Sequence, residues 1–495
     1  MKKKLLARWD IPFYILVAVF WFWLAAQIPY THDDWDWGLD IGLKQLFTAN
    51  LNARYSGNFF EVIMTRSEFL RILIVGSGFT LLPLSMAATA WGHCRRKGPA
   101  VRLIFFTVAN VLILSMPRGM WQLTYGWTAG YANFCLSTLI MIYLVGKVLA
   151  MFREDRQRLS LASVGYFDLF ALAFFGQLFL ENISIYMTAL LLVAVVIAWI
   201  REKKLPVGYL LMAVGALLGL YVVFQSDIYQ ELWDTGTAVS GYRKMWLNSL
   251  VDRRETILSC LKQAKYLIPR ALEENLTLVL AASATLSLAV LAKKWGKLWV
   301  RILFVTGNTI FFLYHLLNRY LEFVEGIGWL AAINFVYFLW ITVEILVLCR
   351  GAKLRLLLTW LSVAAVLAPL VVTSESGIRM CFPSSTLLGL FCLQLLGLWL
   401  EETSKKTVVA VTLSVSLVAL LVLGAYFSKI YHEIGEAKRA RVEYINQEVE
   451  AGSGVILIPR YPHTEFIWRP NPINDLRVWY FKEFYGIPQS TGLYF

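Results

Sequence analysis

The chain has 495 residues, of which 58% are hydrophobic and 16% are charged, and its mean hydropathy is +0.60. Water-soluble domains usually carry about 25% charged residues, so this chain has too little polar sequence to cover a core of that size. The composition excludes an ordinary soluble protein and predicts a multi-pass membrane protein. The net charge of +13 does not require nucleic acid, because the positive-inside distribution of lysine and arginine accounts for it.

Apolar runs of about 20 residues mark helices that cross a bilayer, where every backbone polar group must be paired within the segment. The sequence contains about thirteen such runs, at 11–29, 70–91, 101–117, 130–151, 162–180, 183–200, 206–224, 276–292, 299–318, 327–349, 355–373, 381–400 and 406–427. We therefore expect an all-α polytopic protein.

Lysine and arginine predict its orientation. With the N-terminus inside, the inner connections read MKKKLLAR, HCRRKGPAVR, FREDRQR, REKK, AKKWGK, CRGAKLR and EETSKK, and all but the last are basic or nearly so. The positive-inside rule then places the N-terminus in the cytoplasm and the C-terminus outside.

This topology divides the chain into a transmembrane domain, 1–427, and a small extracytoplasmic α/β region, 428–495. The domain has two long outer loops, 30–69 and 225–275. In the second loop an apolar stripe at helical spacing predicts an amphipathic helix that lies on the interface or caps the bundle.

The stretch YTHDDWDWG directly follows the first predicted helix and contains Asp33, Asp34 and Asp36. Adjacent carboxylates repel one another, so one of them holds a proton toward neutral pH, which suits a general base. Asp34 and Asp36 also form an Asp-x-Asp pair that suits Mg²⁺ or Mn²⁺. The alternative is a solvated polar cap in which Trp35 and Trp37 anchor the interface.

Other polar residues recur at the predicted outer ends of the helices. They are Arg54, Tyr55, Arg118, Tyr131, Asn133, Glu181, Arg319, Glu322 and Arg379. Taken singly, each is better explained as a loop residue or a snorkelling side chain. Together they place arginines and carboxylates beside lipid, and arginine binds phosphate through paired donors. The combination suits a substrate with a phosphate head and an isoprenoid tail.

Three motifs carry a resemblance to a known family: HDDWDWG at 32–38, NARYSGN at 52–58 and GIRMCFP at 377–383. The chain resembles the GT-C class of integral-membrane glycosyltransferases, and in particular bacterial multi-pass families that glycosylate cell-surface polymers. The second motif departs from the family pattern at Ala53, where glycine is favoured. The architecture covers most of the chain, whereas the motifs cover few residues.

The resemblance implies an enzyme of the bacterial plasma membrane that transfers a sugar, with inversion, from a polyprenyl-phosphate donor to a cell-surface glycopolymer or glycolipid outside. Asp33 or Asp34 would deprotonate the acceptor hydroxyl. Arg379 and Arg118 would stabilise the departing lipid phosphate. The expected substrate contacts are Trp35, Arg54, Tyr55, Tyr131, Asn133 and Glu181. No cofactor is required by the resemblance; a bound Mg²⁺ or Mn²⁺ ion would be held by Asp34 and Asp36.

Two alternative functions remain open at this stage. A surface-polysaccharide polymerase or ligase uses the same donors, but we expect its large arginine-rich loop late in the chain. A transporter or flippase of a lipid-linked sugar places ionisable residues near the bilayer midplane, for which Glu344 and Asp168 are the candidates. The position of the polar site, at the rim or at the midplane, distinguishes a transferase from a transporter.

Overall fold

A computed structural model describes most of the chain. The described residues are 10–48, 52–95, 98–152, 165–203, 206–239, 243–246, 252–322, 324, 326–349, 351–373, 377–402 and 406–495. Several of the basic connections on which the predicted orientation depends lie wholly or partly outside these ranges.

The described chain is mainly helical. In chain order its α-helices are α1 (Ile11–Gln27), α2 (Asp34–Gly38), α3 (Asp40–Thr48), α4 (Tyr55–Arg66), α5 (Glu68–His93), α6 (Pro99–Leu114), α7 (Arg118–Thr124), α8 (Thr128–Phe152, with a π-helical turn at Tyr131–Cys135), α9 (Tyr166–Gln177), α10 (Glu181–Glu202), α11 (Val207–Phe224), α12 (Asp227–Thr235), α13 (Arg253–Leu272), α14 (Leu276–Lys293), α15 (Leu298–Leu321), α16 (Ile327–Leu348), α17 (Lys353–Ala365), α18 (Phe382–Glu402), α19 (Lys406–Glu450) and α20 (Asp475–Phe484).

The prediction of an all-α polytopic protein is confirmed at this level. Within the described ranges, ten helical segments are long and apolar enough to cross a membrane, or eleven if α6 and α7, which are bent by 93°, form one broken span. Each of the predicted apolar runs contains a helix, but α1 and α9, with 17 and 12 residues, are not among these segments. The expected count of about thirteen spans and the orientation stay predictions.

Contacts between helix ends divide the connections into two groups. At one end, Asp10 before α1 pairs with Arg102 of α6, and Lys293 of α14 pairs with Glu401 of α18. At the other end lie α2, the start of α4 and the start of α10. We call this second end, which carries Asp33, the acidic end.

Helix α18 forms the interior of the bundle, since the whole of its apolar window is buried. It packs against α5, α14 and α17. Small residues allow this close approach: a Cβ at Gly389 would lie 2.9 Å from Met86, and one at Gly397 would lie 3.1 Å from Phe105. Close contact at small residues is the usual way in which membrane helices associate.

The two long predicted loops do contain amphipathic helices. Helices α3 and α4 lie in the first. The second contains α12, α13 and a short antiparallel pair of strands, β1 (Thr237–Ala238) and β2 (Arg243–Lys244). On α13 the apolar residues Ile257, Leu258 and Leu261 are exposed, as expected for a helix that meets lipid or the interface. Leu250 and Val251, which begin the predicted stripe, lie outside the described residues.

The C-terminal region packs onto the acidic end. Strands β3 (Val455–Leu457) and β4 (Gly492–Tyr494) form a two-stranded parallel ladder beside α20. Ile456 and Phe481 from this region enclose Trp35 of α2 in a small apolar cluster. The C-terminal region therefore packs against the acidic segment, residues 30–38, and shares an apolar cluster with it.

Arg441 of α19 holds this region together. Its side chain is buried, and its guanidinium donates to the carbonyl oxygen of Pro459. It also donates to the carbonyl oxygen of Pro470 and to Oδ1 of Asn471, each at a distance of 2.9 Å. The guanidinium also lies 4.0 Å from the centre of the Tyr461 ring. These bonds close the loop between β3 and α20.

Arg441→Ala should therefore loosen the C-terminal region. Hydrogen bonds from a charged donor contribute about 1.5–3 kcal/mol each, and the substitution leaves buried carbonyls unpaired. We expect rapid limited proteolysis between residues 451 and 475 in detergent. Arg460→Ala, which changes an exposed arginine of the same region, should leave the cleavage rate unchanged. Equal protection of the two variants would contradict the anchoring role.

Candidate functional site

Asp34 ties the acidic segment to the bundle. Its Oδ2 accepts from the backbone N–H of Thr31 at 2.9 Å, and its Oδ1 accepts from that of Ala129 at 3.0 Å. The side chain is fully buried. Burial raises the pKa of Asp34 to about 7, against the opposing effect of the two peptide N–H groups. Both oxygens of this carboxyl group are thus used in holding the chain.

Asp33 is in a different environment, although it is the adjacent residue. About a quarter of its side chain is exposed. Its Oδ1 lies 2.7 Å from Nδ1 of His32 and also accepts from Nη2 of Arg477. Burial acts to raise the pKa of Asp33, but His32, Arg477 and Arg379 outweigh it, and the pKa is lowered. Asp33 therefore carries its negative charge at neutral pH.

Arg477 of α20 connects Asp33 to Asp36. Its Nη1 donates to Oδ1 of Asp36 at 2.6 Å while Nη2 donates to Asp33. Asp36 is buried, and burial raises its pKa to about 7 despite the opposing charge of Arg477. Arg477 was not predicted as a site residue, because nothing in the C-terminal sequence indicates that this region returns to the first loop.

Glu61 of α4 adds a fourth carboxyl group. Its side chain is buried, and its Oε1 has no hydrogen-bond partner within the described residues. Burial raises its pKa well above the ordinary value, and the charges of Asp33, Asp34 and Asp36 raise it further. Glu61 therefore keeps its proton to a higher pH than an exposed glutamate does. Its signal in the sequence, which was not used above, is a glutamate placed between apolar residues in NFFEVIM.

The π-helical turn of α8 packs directly on α4. A Cβ at Gly57 would lie 2.1 Å from Oδ1 of Asn133, so a larger residue there would displace the asparagine side chain. Asn133 donates from Nδ2 to the carbonyl of Ala129 in its own helix, and the Tyr131 hydroxyl donates to that of Val75 in α5 at 3.1 Å. Tyr131 and Asn133 are both buried, and these contacts are structural. Turns of this kind occur often at functional sites.

Arg379 lies next to the acidic segment, in the 3₁₀ turn that precedes α18. Its guanidinium carbon is 5.7 Å from the centre of the Trp127 ring and 5.6 Å from that of Phe134. It forms no ion pair with a carboxylate in the described part of the chain, although its charge lowers the pKa of Asp33. The structure thus brings together Asp33 and Arg379, which are distant in sequence.

Arg118 begins α7 on the same side of the bundle. It is exposed, and its guanidinium carbon lies 5.8 Å from the Phe466 ring. Helix α7 packs against the 3₁₀ turn that carries Arg379, so both predicted phosphate-binding arginines lie on neighbouring elements.

Other predicted contacts are engaged with one another or with neighbouring helices, although the charge of Arg54 also acts to lower the pKa of the buried Glu61. Arg54 and Glu181 form a paired ion bridge, with Nη2 of Arg54 3.0 Å from Oε2 of Glu181. They line a separate cavity of about 100 Å³ together with Asn182. Tyr55 packs beside Leu178 in a small apolar cluster. Arg54 and Glu181 thus neutralise one another rather than face Asp33.

The aromatic surface near Asp33 is not the predicted one. Trp35 is fully buried and packs edge-on against Phe481 at 5.0 Å, so its indole offers no free face to a sugar. Trp127 and Trp468 instead flank His32, with their ring centres 6.2 Å apart. Trp468 is half-buried and comes from the C-terminal region.

The donor set of the Asp34–Asp36 pair does not fit a metal ion. Both oxygens of Asp34 accept peptide N–H groups, and Oδ1 of Asp36 is held by Arg477. Within the described ranges, no group of three or more His, Cys, Asp or Glu side chains is arranged to hold a metal. We therefore assign no metal-binding role to Asp34 and Asp36.

Comparison with protein-family models, with curated proteins and with solved structures finds no match to this chain. The structure itself defines a class, a polytopic helical membrane protein with a carboxylate–arginine cluster at one end of its bundle. The GT-C resemblance stays a prediction.

Asp34→Asn should lower stability rather than act on chemistry. The amide provides only one acceptor oxygen for two peptide N–H groups, so its NH₂ group opposes a donor. Leaving a buried donor unpaired costs about 1–3 kcal/mol, which should lower the midpoint of thermal unfolding in detergent. Asp40→Asn, at the exposed start of α3, is the matched control, and identical midpoints for the two variants would refute the structural role of Asp34.

Proposed function

We propose that the protein is a glycosyltransferase that moves a sugar from a polyprenyl-phosphate donor to a cell-envelope acceptor at the outer face of a bacterial plasma membrane. One observation carries this proposal. Asp33, a partly exposed carboxylate, lies beside Arg379, an arginine that has no carboxylate partner in the described chain, at one end of a bundle of apolar helices.

The two groups match the two requirements of glycosyl transfer. The acceptor hydroxyl must lose a proton as it attacks the anomeric carbon, and the leaving phosphate must be stabilised as negative charge builds on it. Asp33 is ionised at neutral pH, whereas burial keeps Asp34 and Asp36 partly protonated there. Of the two adjacent aspartates, Asp33 is therefore the one with an ionised and partly exposed carboxylate at the site.

The position of the arginines favours a lipid-linked donor. Arg379 precedes α18 and Arg118 begins α7, so both guanidiniums lie where apolar helices end. A phosphate bound there would sit at headgroup depth while its polyprenyl chain remained in the bilayer. Trp468, which is half-buried, would provide an aromatic face for the sugar next to Asp33, in place of the buried Trp35.

A second candidate function rests on Glu344 of α16. Its carboxyl group is fully buried among apolar helices, accepts from Nδ2 of Asn308 at 3.2 Å, and has no partner at Oε2 within the described residues. Ionisable residues at such positions mark transport pathways, which favours a flippase of a lipid-linked sugar. Asp168 gives no such support, because its Oδ2 accepts from the N–H of Gly165 at the start of α9.

Substitution of Asp33 and Arg379 tests the transferase. In membranes supplied with a labelled polyprenyl-phosphate sugar, Asp33→Asn should lower transfer by about 10²–10⁴, and Arg379→Gln by about 10²–10³. Arg319→Gln, an exposed arginine on α15, should transfer at the wild-type rate. Full transfer by both site variants would overturn the proposal. A polymerase or ligase would give the same losses but would build or attach long polysaccharide chains.

Glu344→Gln separates transfer from transport. The amide keeps the size of the side chain but cannot ionise, so a flippase that uses Glu344 should lose movement of a labelled lipid-linked sugar across proteoliposome membranes. A transferase should retain its rate, because Glu344 lies among α14, α15 and α16 and has no contact with Asp33. Loss of flipping with no transfer in any variant would establish the second candidate instead.

A further inference from the structure

We propose that the group that accepts the proton of the acceptor hydroxyl is Nε2 of His32, and that Asp33 orients the imidazole. This inference rests on the proposed function, because it assigns the base of the same reaction. His32 was not predicted as a site residue, because a single histidine beside three aspartates does not form a recognisable catalytic motif.

The contacts of His32 define its protonation. Nη1 of Arg469 lies 3.4 Å from Nε2 of His32. A guanidinium has only donors, so Nε2 faces it with a lone pair. The proton of the neutral ring is then on Nδ1, which lies 2.7 Å from Oδ1 of Asp33. The carboxylate lies off the axis of that N–H bond, and such bonds often straighten only when substrate is bound.

Asp33 suits the role of an orienting group better than that of a base. His32, Arg477 and Arg379 stabilise its charged form, which weakens its affinity for a proton. An ionised carboxylate beside Nδ1 keeps the ring proton on that nitrogen, so that Nε2 carries a lone pair. The same carboxylate stabilises the imidazolium that forms. This is the logic of carboxylate–histidine pairs in other enzymes.

The surroundings of His32 place Nε2 against Arg469, on the side of the C-terminal region. The rings of Trp127 and Trp468 each lie 6.3 Å from the imidazole. The charged groups that face it are Asp33 from its own segment and Arg469 from the C-terminal region. Arg477 and Arg379 act on it through Asp33. Arg469 is exposed, so it can turn away when an acceptor hydroxyl takes its place.

The backbone at this position is unusual. His32 has a φ of +47° and Arg469 has a φ of +40°, in a region that residues other than glycine seldom adopt. Strain of this kind is found at functional sites. The conformation also determines the choice of substitution. Asparagine tolerates a positive φ better than most residues, so His32→Asn removes the imidazole with little change in backbone energy.

The proton and the electrons balance in one displacement. The hydroxyl proton passes to Nε2 as the acceptor oxygen bonds to the anomeric carbon. The bond from that carbon to the donor phosphate oxygen breaks, and its electron pair leaves on the polyprenyl phosphate beside Arg379. The imidazolium then returns its proton to water.

The test is the pH dependence of kcat/KM for transfer from a defined polyprenyl-phosphate sugar by the purified full-length protein. Because protonation of the base abolishes transfer, wild-type kcat/KM should fall on the acid side of its pH profile. His32→Asn should lower kcat by about 10²–10⁴ with little change in KM, and its acid limb should be lost. Asp33→Asn should lower kcat but keep the limb, and thermal unfolding should show both variants folded.

A different set of results would identify Asp33 as the base. If His32→Asn keeps its rate and its acid limb, the base is Asp33 and the inference fails while the proposed function stands. Absence of transfer by the wild-type protein would remove both. If His32→Asn does not fold, Arg469→Gln decides: loss of this cation, 3.4 Å from Nε2, should move the acid limb to higher pH if His32 is the base, and an unmoved limb overturns the inference.

Discussion

The bond pair from Arg477 to Asp33 and Asp36 is the interaction on which the rest of the site depends. It joins residues 444 and 441 positions apart. Burying ionised carboxylates without a partner costs several kcal/mol, and Asp34 and Glu61 lie close by as well. The guanidinium of α20 makes this concentration of acid compatible with a folded bundle. It also makes the C-terminal region part of the site.

Burial divides the roles of chemically similar residues. Asp34 and Asp33 are adjacent, yet one is enclosed and holds two peptide N–H groups, while the other is partly exposed beside cations. Their pKa values move in opposite directions for that reason. Separation of the pKa values of neighbouring carboxyl groups is a recurring way to assign structural and chemical tasks within one cluster.

The same division explains the outcome for the predicted substrate contacts. Arg379 lies beside Asp33, with Arg118 on a neighbouring element, whereas Arg54 and Glu181 pair with one another. Sequence placed all of them near helix ends, because polar residues collect where apolar runs stop. It contained no information on which ends adjoin, since that depends on how the helices pack.

Sequence by itself determined the membrane class, the helical runs and the acidic segment after α1. These follow from local hydropathy, because a bilayer requires each spanning segment to satisfy its own backbone. Only the tertiary structure decided that Trp35 is interior, that Glu61 joins the acids, and that Arg469 and Arg477 reach His32 and Asp33. The contacts of Trp35, Arg469 and Arg477 join chain segments hundreds of residues apart. Glu61 meets the acids because α4 packs on α2. No local pattern encodes either kind of contact.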